Sequence, residues 1–284
     1  MTISLDVFHS VKNLPSPPEH INNVLVASGS TSSMDYNIVE IIQYDPSMAL
    51  SVLKVANSPV YGYPAQISSL QQAAGLLGPG AIKNIILRTP ILEKYLAEQE
   101  SEFALDYEEL WMHCGVTASL AGGLGRLIGG LESDVCFTAG LIHDAGVIAL
   151  SVYYPREMSE AIGKSRNEKI NLLNAEKKVF GFDSSQVSME LMTAWNFPES
   201  FINLFRSDIP IDEADPSSKT GAVVGLAKLL SREWSLHGCS HVPDDLDGGK
   251  LLHVLGITPQ NISHWEPELK KYAGFATGTL KGNN

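Results

Sequence analysis

The chain has 284 residues, 44% of them hydrophobic and 18% charged, with a formal net charge of −12. This composition is that of a folded globular protein and excludes a disordered chain. The acidic balance and the lack of any run of lysines or arginines disfavour binding to nucleic acid. The first residues show no basic segment before an apolar core, and no uninterrupted apolar run reaches the roughly 18–20 residues that a membrane helix needs. We therefore expect a cytoplasmic protein that does not enter a membrane.

Three cysteines, Cys114, Cys136 and Cys239, occur without a Cys-x-x-Cys pair. That number and spacing argue against a disulfide framework and against a zinc site built from thiolates. Cys114 and Cys136 lie in apolar helical segments, where a free cysteine behaves as a small buried hydrophobic residue.

Helical periodicity dominates the first hundred residues and predicts helices at 19–27, 36–43, 46–56, 68–77 and 81–95. Asp45 followed by Pro46 is a strong helix start, because a carboxylate caps free N–H groups and proline suits the first helical position. That helix ends at Asn57, shortly before Pro59, since a residue that precedes proline resists helical geometry.

The next helix is predicted to begin at Ser68, because Ser68 and Gln71 have the spacing of a capping box. A break is expected at 78–80, where the sequence reads Gly-Pro-Gly, and a further helix follows. The polar stretch 97–102 is the best candidate for a linker between two lobes.

Beyond this linker the periodicity remains helical, and no alternating strand pattern of any length occurs. Asp106 and Glu109 have capping-box spacing and open a long helix that carries His113. The helix holding His143 and Asp144 follows and ends at Tyr154. Later helices are predicted at 170–180, 185–195, 198–205, 217–234, 250–255 and 259–272. The sequence therefore predicts an all-α fold, a helical bundle of two lobes.

The most informative segment is 139–146, which places His143 and Asp144 among small and apolar residues. Burial of an imidazole beside a carboxylate costs free energy unless a hydrogen bond, a metal or a catalytic role compensates. The pair is therefore either half of a metal site or the structural remnant of one.

Several segments resemble the HDOD family, the HD-related output domains of bacterial signalling proteins. They occur in the expected order, at 45–58, 67–73 with 77–78, 110–113, 139–146 and 194–198. The likeness covers about residues 11–205 and, more weakly, the helix around Ala227. It implies that the second lobe is HD-domain-like, related to phosphohydrolases whose divalent metals activate water for attack on phosphorus. It also implies regulation rather than catalysis, because HDOD domains are regarded as relatives that lost this chemistry.

The resemblance assigns metal-ligand positions to His113, His143 and Asp144, but it places Lys228 where a later aspartate would complete the set. A protonated lysine cannot ligate a metal, and its charge repels a divalent cation. Ser185 stands where related hydrolases carry a further histidine. Two histidines and one aspartate can still form an open facial site for Mn, Fe or Mg. Our main expectation is that no cofactor binds, that the three residues hydrogen-bond one another, and that Lys228 pairs with Asp144.

Two other groups of residues were candidates for function. His237 and His241, with Cys239, Asp244 and Asp245 nearby, could chelate an ion but lack the paired spacing of a structural zinc site, so a solvated loop is the better interpretation.

Asn57, Tyr61 and Tyr63 lie at the end of the helix that Asp45 opens. Asn57 is expected to hold the turn after that helix. The alternative is that this turn forms a surface between the lobes for a ligand or a partner.

These observations divide the chain into an amino-terminal lobe of the HDOD domain at 1–98, an HD-like lobe at 99–235 and a helical extension at 236–284. They predict a non-catalytic module for signal transduction that binds a signalling protein or a small ligand in trans, with no nucleic-acid or membrane partner. The oligomeric state stays open. The alternative is a metal-dependent phosphohydrolase of the HD superfamily that acts on a phosphoester or nucleotide.

Overall fold

The computed structural model describes residues 3–29, 38–61, 63, 66–92, 105–205, 216–236 and 246–280. Within these ranges every regular element is a helix, and the β contacts amount to one isolated parallel bridge between Ser16 and Ile91. The all-α prediction is confirmed.

The first group of helices holds the amino-terminal part of the core. After a short 3₁₀ helix at Leu5–Ser10 come α1 (Pro18–Gly29), α2 (Ile38–Ile42), α3 (Pro46–Ala56), a 3₁₀ turn at Pro59–Tyr61, and α4 (Leu70–Ile86). As predicted, Asp45 caps α3, and its side chain accepts a hydrogen bond from the Met48 N–H at 2.9 Å.

The start of α4 lies one residue later than the sequence pattern predicted. Ser69, not Ser68, is the N-cap, and its hydroxyl accepts from the Gln72 N–H. The break expected at 78–80 occurs as a kink at Gly78, whose φ of 74° is a conformation that glycine adopts without strain. The helix after the kink ends at Ile86, well before residue 95, where we had predicted its end.

The second group of helices forms the rest of the fold. It comprises α5 (Tyr107–Ile128), α6 (Ser133–Ile142), α7 (Ala145–Tyr153), α8 (Pro155–Glu168), α9 (Leu172–Phe180), α10 (Ser184–Ala194), α11 (Glu199–Ile202) with a 3₁₀ turn at Asn203–Phe205, α12 (Pro216–Glu233), α13 (Gly248–Leu255) and α14 (Pro259–Leu280).

Helix α5 is the central element of this group. Helices α6, α12 and α14 all pack against it, and α10 packs against α7. Most of α5 is buried, including Trp111 and Val116, so its burial supplies much of the apolar driving force for the fold. Because α3 and α4 also contact α6, one apolar core extends through both groups of helices. This packing fixes the position of His113, which lies in the second turn of α5.

The prediction that one helix carries His143 and Asp144 was wrong. Helix α6 ends before His143, and α7 begins after Asp144, whose φ of −103° and ψ of 23° depart from helical values. The His143 side chain bonds the Gly140 carbonyl, one of the groups that a helix end leaves without an internal partner. The junction therefore turns both side chains toward α5 and α12.

The sequence pattern does not predict α8, because a residue before proline, here Tyr154, indicates only the end of a helix. Proline also suits the first position of a helix, and Pro155 begins α8 directly after α7 ends. Helix α14 was predicted at 259–272 but continues to Leu280 and packs along α5.

One segment, Ser133–Tyr153, is 21 residues long with a mean hydropathy of 1.7, enough to cross a membrane by length and composition. It is not an uninterrupted apolar run, because it contains Asp134, His143 and Asp144. In the fold this segment is α6, the His143-Asp144 junction and α7, and 78% of its apolar window is buried inside the protein. Core packing accounts for its apolar character.

Candidate functional site

Four residues from three parts of the fold meet at one point, which we call the HD cluster: His113, His143, Asp144 and Lys228. His113 comes from α5, the next two from the α6–α7 junction, and Lys228 from α12. The side chains of both histidines and of Asp144 are largely buried, while that of Lys228 keeps 24% of its surface exposed.

Three atoms of the HD cluster form a close triangle. His113 Nε2 lies 3.1 Å from His143 Nε2 and 3.4 Å from Asp144 Oδ2, and His143 Nε2 lies 3.2 Å from the same oxygen. Lys228 Nζ lies 3.9 Å from the other carboxylate oxygen, Asp144 Oδ1. The structure therefore brings together all four residues that the sequence singled out for this site.

The proton positions follow from His143. Its Nδ1 lies 2.7 Å from the Gly140 carbonyl oxygen, which can only accept, so Nδ1 carries a proton. In a neutral ring, Nε2 then presents a lone pair toward the lone pairs of Asp144 Oδ2. A proton on His113 Nε2, which lies 3.1 Å from His143 Nε2 and 3.4 Å from Asp144 Oδ2, offsets this repulsion, as a metal ion between the atoms would.

The charges of the HD cluster favour an ionised aspartate. Burial disfavours the charged form of Asp144, but the charges of His143 and Lys228 and the hydrogen bonds from both histidines outweigh it and hold the pKa of Asp144 well below its usual range. Burial lowers the pKa of His113; Asp144 opposes this shift, while His143 and Lys228 add to it.

The donor atoms of the triangle fit a metal ion, whereas the neighbouring charge opposes one. One atom from each of His113, His143 and Asp144 lies within 4.8 Å of the others. Adjacent ligands around an octahedral ion at about 2.1 Å are about 3 Å apart, so these atoms match one face of an octahedron. The Lys228 ammonium beside Asp144 lowers the affinity of that face for a dication.

Outside the HD cluster, Glu176 on α9 is an ionisable residue that the sequence did not single out. Its carboxyl is fully buried; Oε2 accepts from the Ser184 N–H at 2.7 Å, and Oε1 has no hydrogen-bond partner among the described residues. Burial raises the pKa of Glu176 to about 7, with smaller contributions from the charges of Asp183 and then Asp144, against the hydrogen bonds from Ser184. A glutamate within an ordinary amphipathic helix gives no sequence signal of this burial.

Close packing behind the HD cluster explains why Gly146 is a glycine. A Cβ on Gly146 would lie 1.9 Å from the Ser184 carbonyl oxygen, and the Gly146 N–H donates to the Ser188 hydroxyl at 2.8 Å. Helix α10 thus supports the cluster through Ser184 and Ser188. Ser185, at the position where the resemblance implies a further histidine in related hydrolases, makes none of the hydrogen bonds or ion pairs described for the cluster.

Of the two other groups of candidate residues, the structure describes one. Residues 237–245 fall outside the described residues. Asn57 bridges two segments: its amide donates to the Leu53 and Ile67 carbonyls, and its oxygen accepts from the Ile67 N–H at 2.8 Å. Tyr61 and Tyr63 are exposed. These contacts give Asn57 a structural role in the turn after α3.

The fold and the HD cluster define a helical domain of the HD type, and comparison with known proteins identifies the family. The family model described as HDOD domain matches residues 14–208. This chain therefore belongs to the HDOD family, as the sequence segments indicated.

Solved structures show the same fold. The MmoQ response regulator from Methylococcus capsulatus is similar with a TM-score of 0.68 and 22% identity, over 89% of this chain and 97% of that one. An HDOD domain protein of unknown function from Geobacter sulfurreducens gives 0.56 and 21%, over 97% of each chain. A virulence factor from Campylobacter jejuni gives 0.60 and 20%, over 92% and 98%. No curated protein matches the chain significantly.

Proposed function

We propose that this chain is a non-catalytic regulatory module that acts by binding a protein partner or a small ligand. Membership of the HDOD family supports the regulatory class. The absence of catalysis is inferred from the HD cluster itself.

The observation that carries the proposal is the ammonium of Lys228, 3.9 Å from Asp144 Oδ1. It supplies from within the chain the positive charge that an ionised, buried aspartate requires. A tethered ammonium has no open coordination position, so it does not generate a nucleophilic water as a metal does. The HD cluster then holds α5, the α6–α7 junction and α12 together by charge.

Metal content and hydrolysis test this proposal together. Protein purified without added metal is expected to contain far less than one equivalent of Mn, Fe or Mg. With Mn²⁺ added, its hydrolysis of bis(p-nitrophenyl) phosphate is expected to equal that of His143→Ala. One equivalent of metal, together with turnover that His143→Ala abolishes, would contradict the proposal.

A second function, metal-dependent hydrolysis of a phosphoester, is favoured by one observation. The facing atoms of His113, His143 and Asp144 have the spacing of a facial ligand set. These three residues would hold the ion, which supplies a Lewis acid and an activated water when bound. In that case Lys228 would lie beside the phosphoester and neutralise its charge.

A further inference from the structure

The first described residues of the chain lie across both groups of helices. We call residues 5–13 the strap. Its 3₁₀ helix, Leu5–Ser10, packs against α10, and its later residues contact α3 and α7. Among residues 5–13, all of which the structure describes, Phe8 alone is buried. A segment with one buried side chain opens at a lower free energy than core helices do, so the strap can leave its place while the fold persists.

Phe8 is the anchor of the strap. Its ring packs edge to face against Tyr154, with ring centroids 6.0 Å apart, and against Phe182, at 6.3 Å. Phe180 stacks on Phe182 at 5.7 Å and extends this aromatic wall. The three rings lie where α7 meets α8 and where α9 meets α10, so packed helices hold them in place. Because edge-to-face contacts require a ring, this pocket favours an aromatic side chain.

The main chain of the strap is also bound. Its three consecutive carbonyls at positions 11–13 each accept a hydrogen bond from a side chain of a different helix or helix end. The donors are Trp195 Nε1 at 3.0 Å, the Lys54 ammonium, and the Tyr153 hydroxyl at 3.3 Å. Lys54 Nζ also lies 4.8 Å from the centre of the Trp195 ring, which fixes two of these donors relative to each other. Every peptide has carbonyls, so these contacts recognise extended main chain, as peptide-binding grooves do.

One charged contact follows the anchor. His9 Nε2 pairs with the carboxylate of Glu190 on α10, and both side chains are reached by solvent. A basic residue directly after the aromatic anchor therefore meets an acidic one on the surface below. We call that surface the strap groove, and the residues that contact the strap in it are Lys54, Tyr153, Tyr154, Phe182, Glu190 and Trp195.

The strap does not fill its groove. An open cavity of about 490 Å³ lies between the strap and Pro90, Tyr153 and Tyr154. Well-packed protein interiors leave few voids larger than a water molecule. A segment with bulkier side chains at these positions would gain contacts that the strap lacks, because each added apolar atom in the void finds partner atoms there. The strap is thus a ligand that a better-fitting segment can replace.

We propose that the strap groove is a protein-binding surface. It takes an extended segment of a partner protein that carries an aromatic residue followed by a basic one. The strap is its intramolecular occupant and closes the groove until the partner displaces it. This proposal rests on the proposed regulatory function and names a protein, rather than a small molecule, as what the module binds. None of the hydrogen bonds or ion pairs described for the strap involves the HD cluster, so the two sites are separate.

Fluorescence anisotropy with a fluorescein-labelled peptide of residues 3–14 tests the proposal on the full chain. Phe8→Ala removes the anchor and opens the groove. This variant is expected to bind the peptide at least about tenfold more tightly than the wild type, whose tethered strap competes at a high effective concentration. Val7→Ala is the matched control: the Val7 side chain is 42% exposed, so peptide binding is expected to equal that of the wild type. A peptide that itself carries Phe8→Ala is expected not to bind.

Two further measurements locate the bound peptide. In the Phe8→Ala background, Trp195→Phe keeps an aromatic ring but removes an N–H donor, so it is expected to weaken peptide binding by about threefold or more. In the wild type, a millimolar excess of peptide is expected to speed amide hydrogen exchange in the strap and to leave exchange in α5 unchanged. This second measurement needs no variant, so it stands whether or not Phe8→Ala folds.

Three outcomes would overturn the proposal. The first is peptide binding of equal strength by the wild type and Phe8→Ala. The second is failure of the peptide both to bind Phe8→Ala and to speed exchange in the wild-type strap. The third is a wild-type dimer in light scattering that Phe8→Ala abolishes, because a second copy of this chain would then occupy the groove. None of these outcomes depends on metal content or hydrolysis, so the proposed function is judged separately.

Discussion

Two aspartates of this fold, the buried Asp45 and the partly buried Asp144, each contact a histidine, but their partners differ in kind. Asp45 accepts from the Met48 N–H, from the Ser16 hydroxyl and from His20 Nδ1 at 2.7 Å. Burial alone would lower the pKa of His20, yet Asp45 outweighs it and the pKa is raised. Every partner of Asp45 is a donor, so this cluster is complete.

The carboxylate of Asp144, by contrast, is not satisfied by hydrogen-bond donors alone. Its oxygen faces the Nε2 atoms of His113 and His143, and one of these carries a lone pair unless His143 is doubly protonated. Lys228 supplies charge at 3.9 Å, beyond hydrogen-bond distance. Aspartate–histidine contacts thus form a joint completed by hydrogen-bond donors in one region and, in the other, a cluster whose aspartate relies on the charge of Lys228. The hydrogen-bond donors around each carboxylate distinguish the two aspartate sites better than the identities of the residues do.

Gly146→Ala is expected to have the largest effect, because it disturbs the packing of α10 against the Asp144 region and leaves the Asp45 region unchanged. The added Cβ would meet the backbone of Ser184, and we expect the free energy of unfolding to fall by about 3 kcal/mol or more in urea titrations. Gly163→Ala is the control: no atom lies within 4 Å of its added Cβ inside α8, so stability is expected to rise by about 0.5–1 kcal/mol. Equal effects of the two variants would refute the close approach of α7 and α10.

Asp45→Asn and Asp144→Asn test the comparison itself. In Asp45→Asn, the side-chain NH₂ group faces hydrogen-bond donors where the carboxylate accepted from them. We therefore expect a loss of about 2–3 kcal/mol in the free energy of unfolding. Asn at 144 loses the charge interactions that hold the pKa of Asp144 low, but it can donate to the His143 Nε2 lone pair and Lys228 reaches water, so we expect a smaller loss of about 1–2 kcal/mol. Urea titration at pH 7 measures both. A larger loss at 144 than at 45 would show that the Asp144 region is the more complete structural joint.

Glu176 is intermediate between Asp45 and Asp144, because one of its carboxyl oxygens accepts a hydrogen bond and the other accepts none among the described residues. Its pKa is raised from 4.5 to about 7, so between pH 4.5 and 7 the Glu176 carboxyl is protonated in the folded state but ionised in the unfolded state. The free energy of unfolding is therefore expected to fall as pH rises from 4.5 to 7 and to level off above 7. Glu176→Gln keeps the acceptor for Ser184 and is expected to remove this slope and to add about 2 kcal/mol at pH 8.

Urea titrations between pH 4.5 and 8 measure the Glu176 effect. Glu233→Gln, an exposed position, is the control and is expected to keep the wild-type slope. A slope that persists in Glu176→Gln would mean that another group titrates.

The sequence predicted what depends on neighbouring residues. The Asp45-Pro46 helix start, the end of α3 near Asn57 and the break at Gly78 all follow from local backbone chemistry, and the structure has each of them. The membership of His113, His143 and Asp144 in one site came from resemblance to the HDOD family, because no periodicity links residues 30 positions apart.

The features that the sequence did not predict depend on tertiary packing. Ser16 and His20 reach Asp45 across more than 20 residues, and Glu176 accepts a hydrogen bond from Ser184 at the start of α10. The break between α6 and α7 was also missed, since an apolar run such as Ser133–Tyr153 gives no sign of where its helix stops.

The central claim, that the Lys228 ammonium takes the electrostatic place of a metal, is tested most directly by Mn²⁺ titration of Lys228→Asp. This variant removes the opposing charge and adds a fourth possible ligand at the HD cluster, whereas Lys219→Asp makes the same change elsewhere on α12. Calorimetry is expected to show one equivalent of Mn²⁺ bound to Lys228→Asp and no stoichiometric binding to the wild type or Lys219→Asp. Binding of one Mn²⁺ by the wild type as tightly as by Lys228→Asp would contradict the claim.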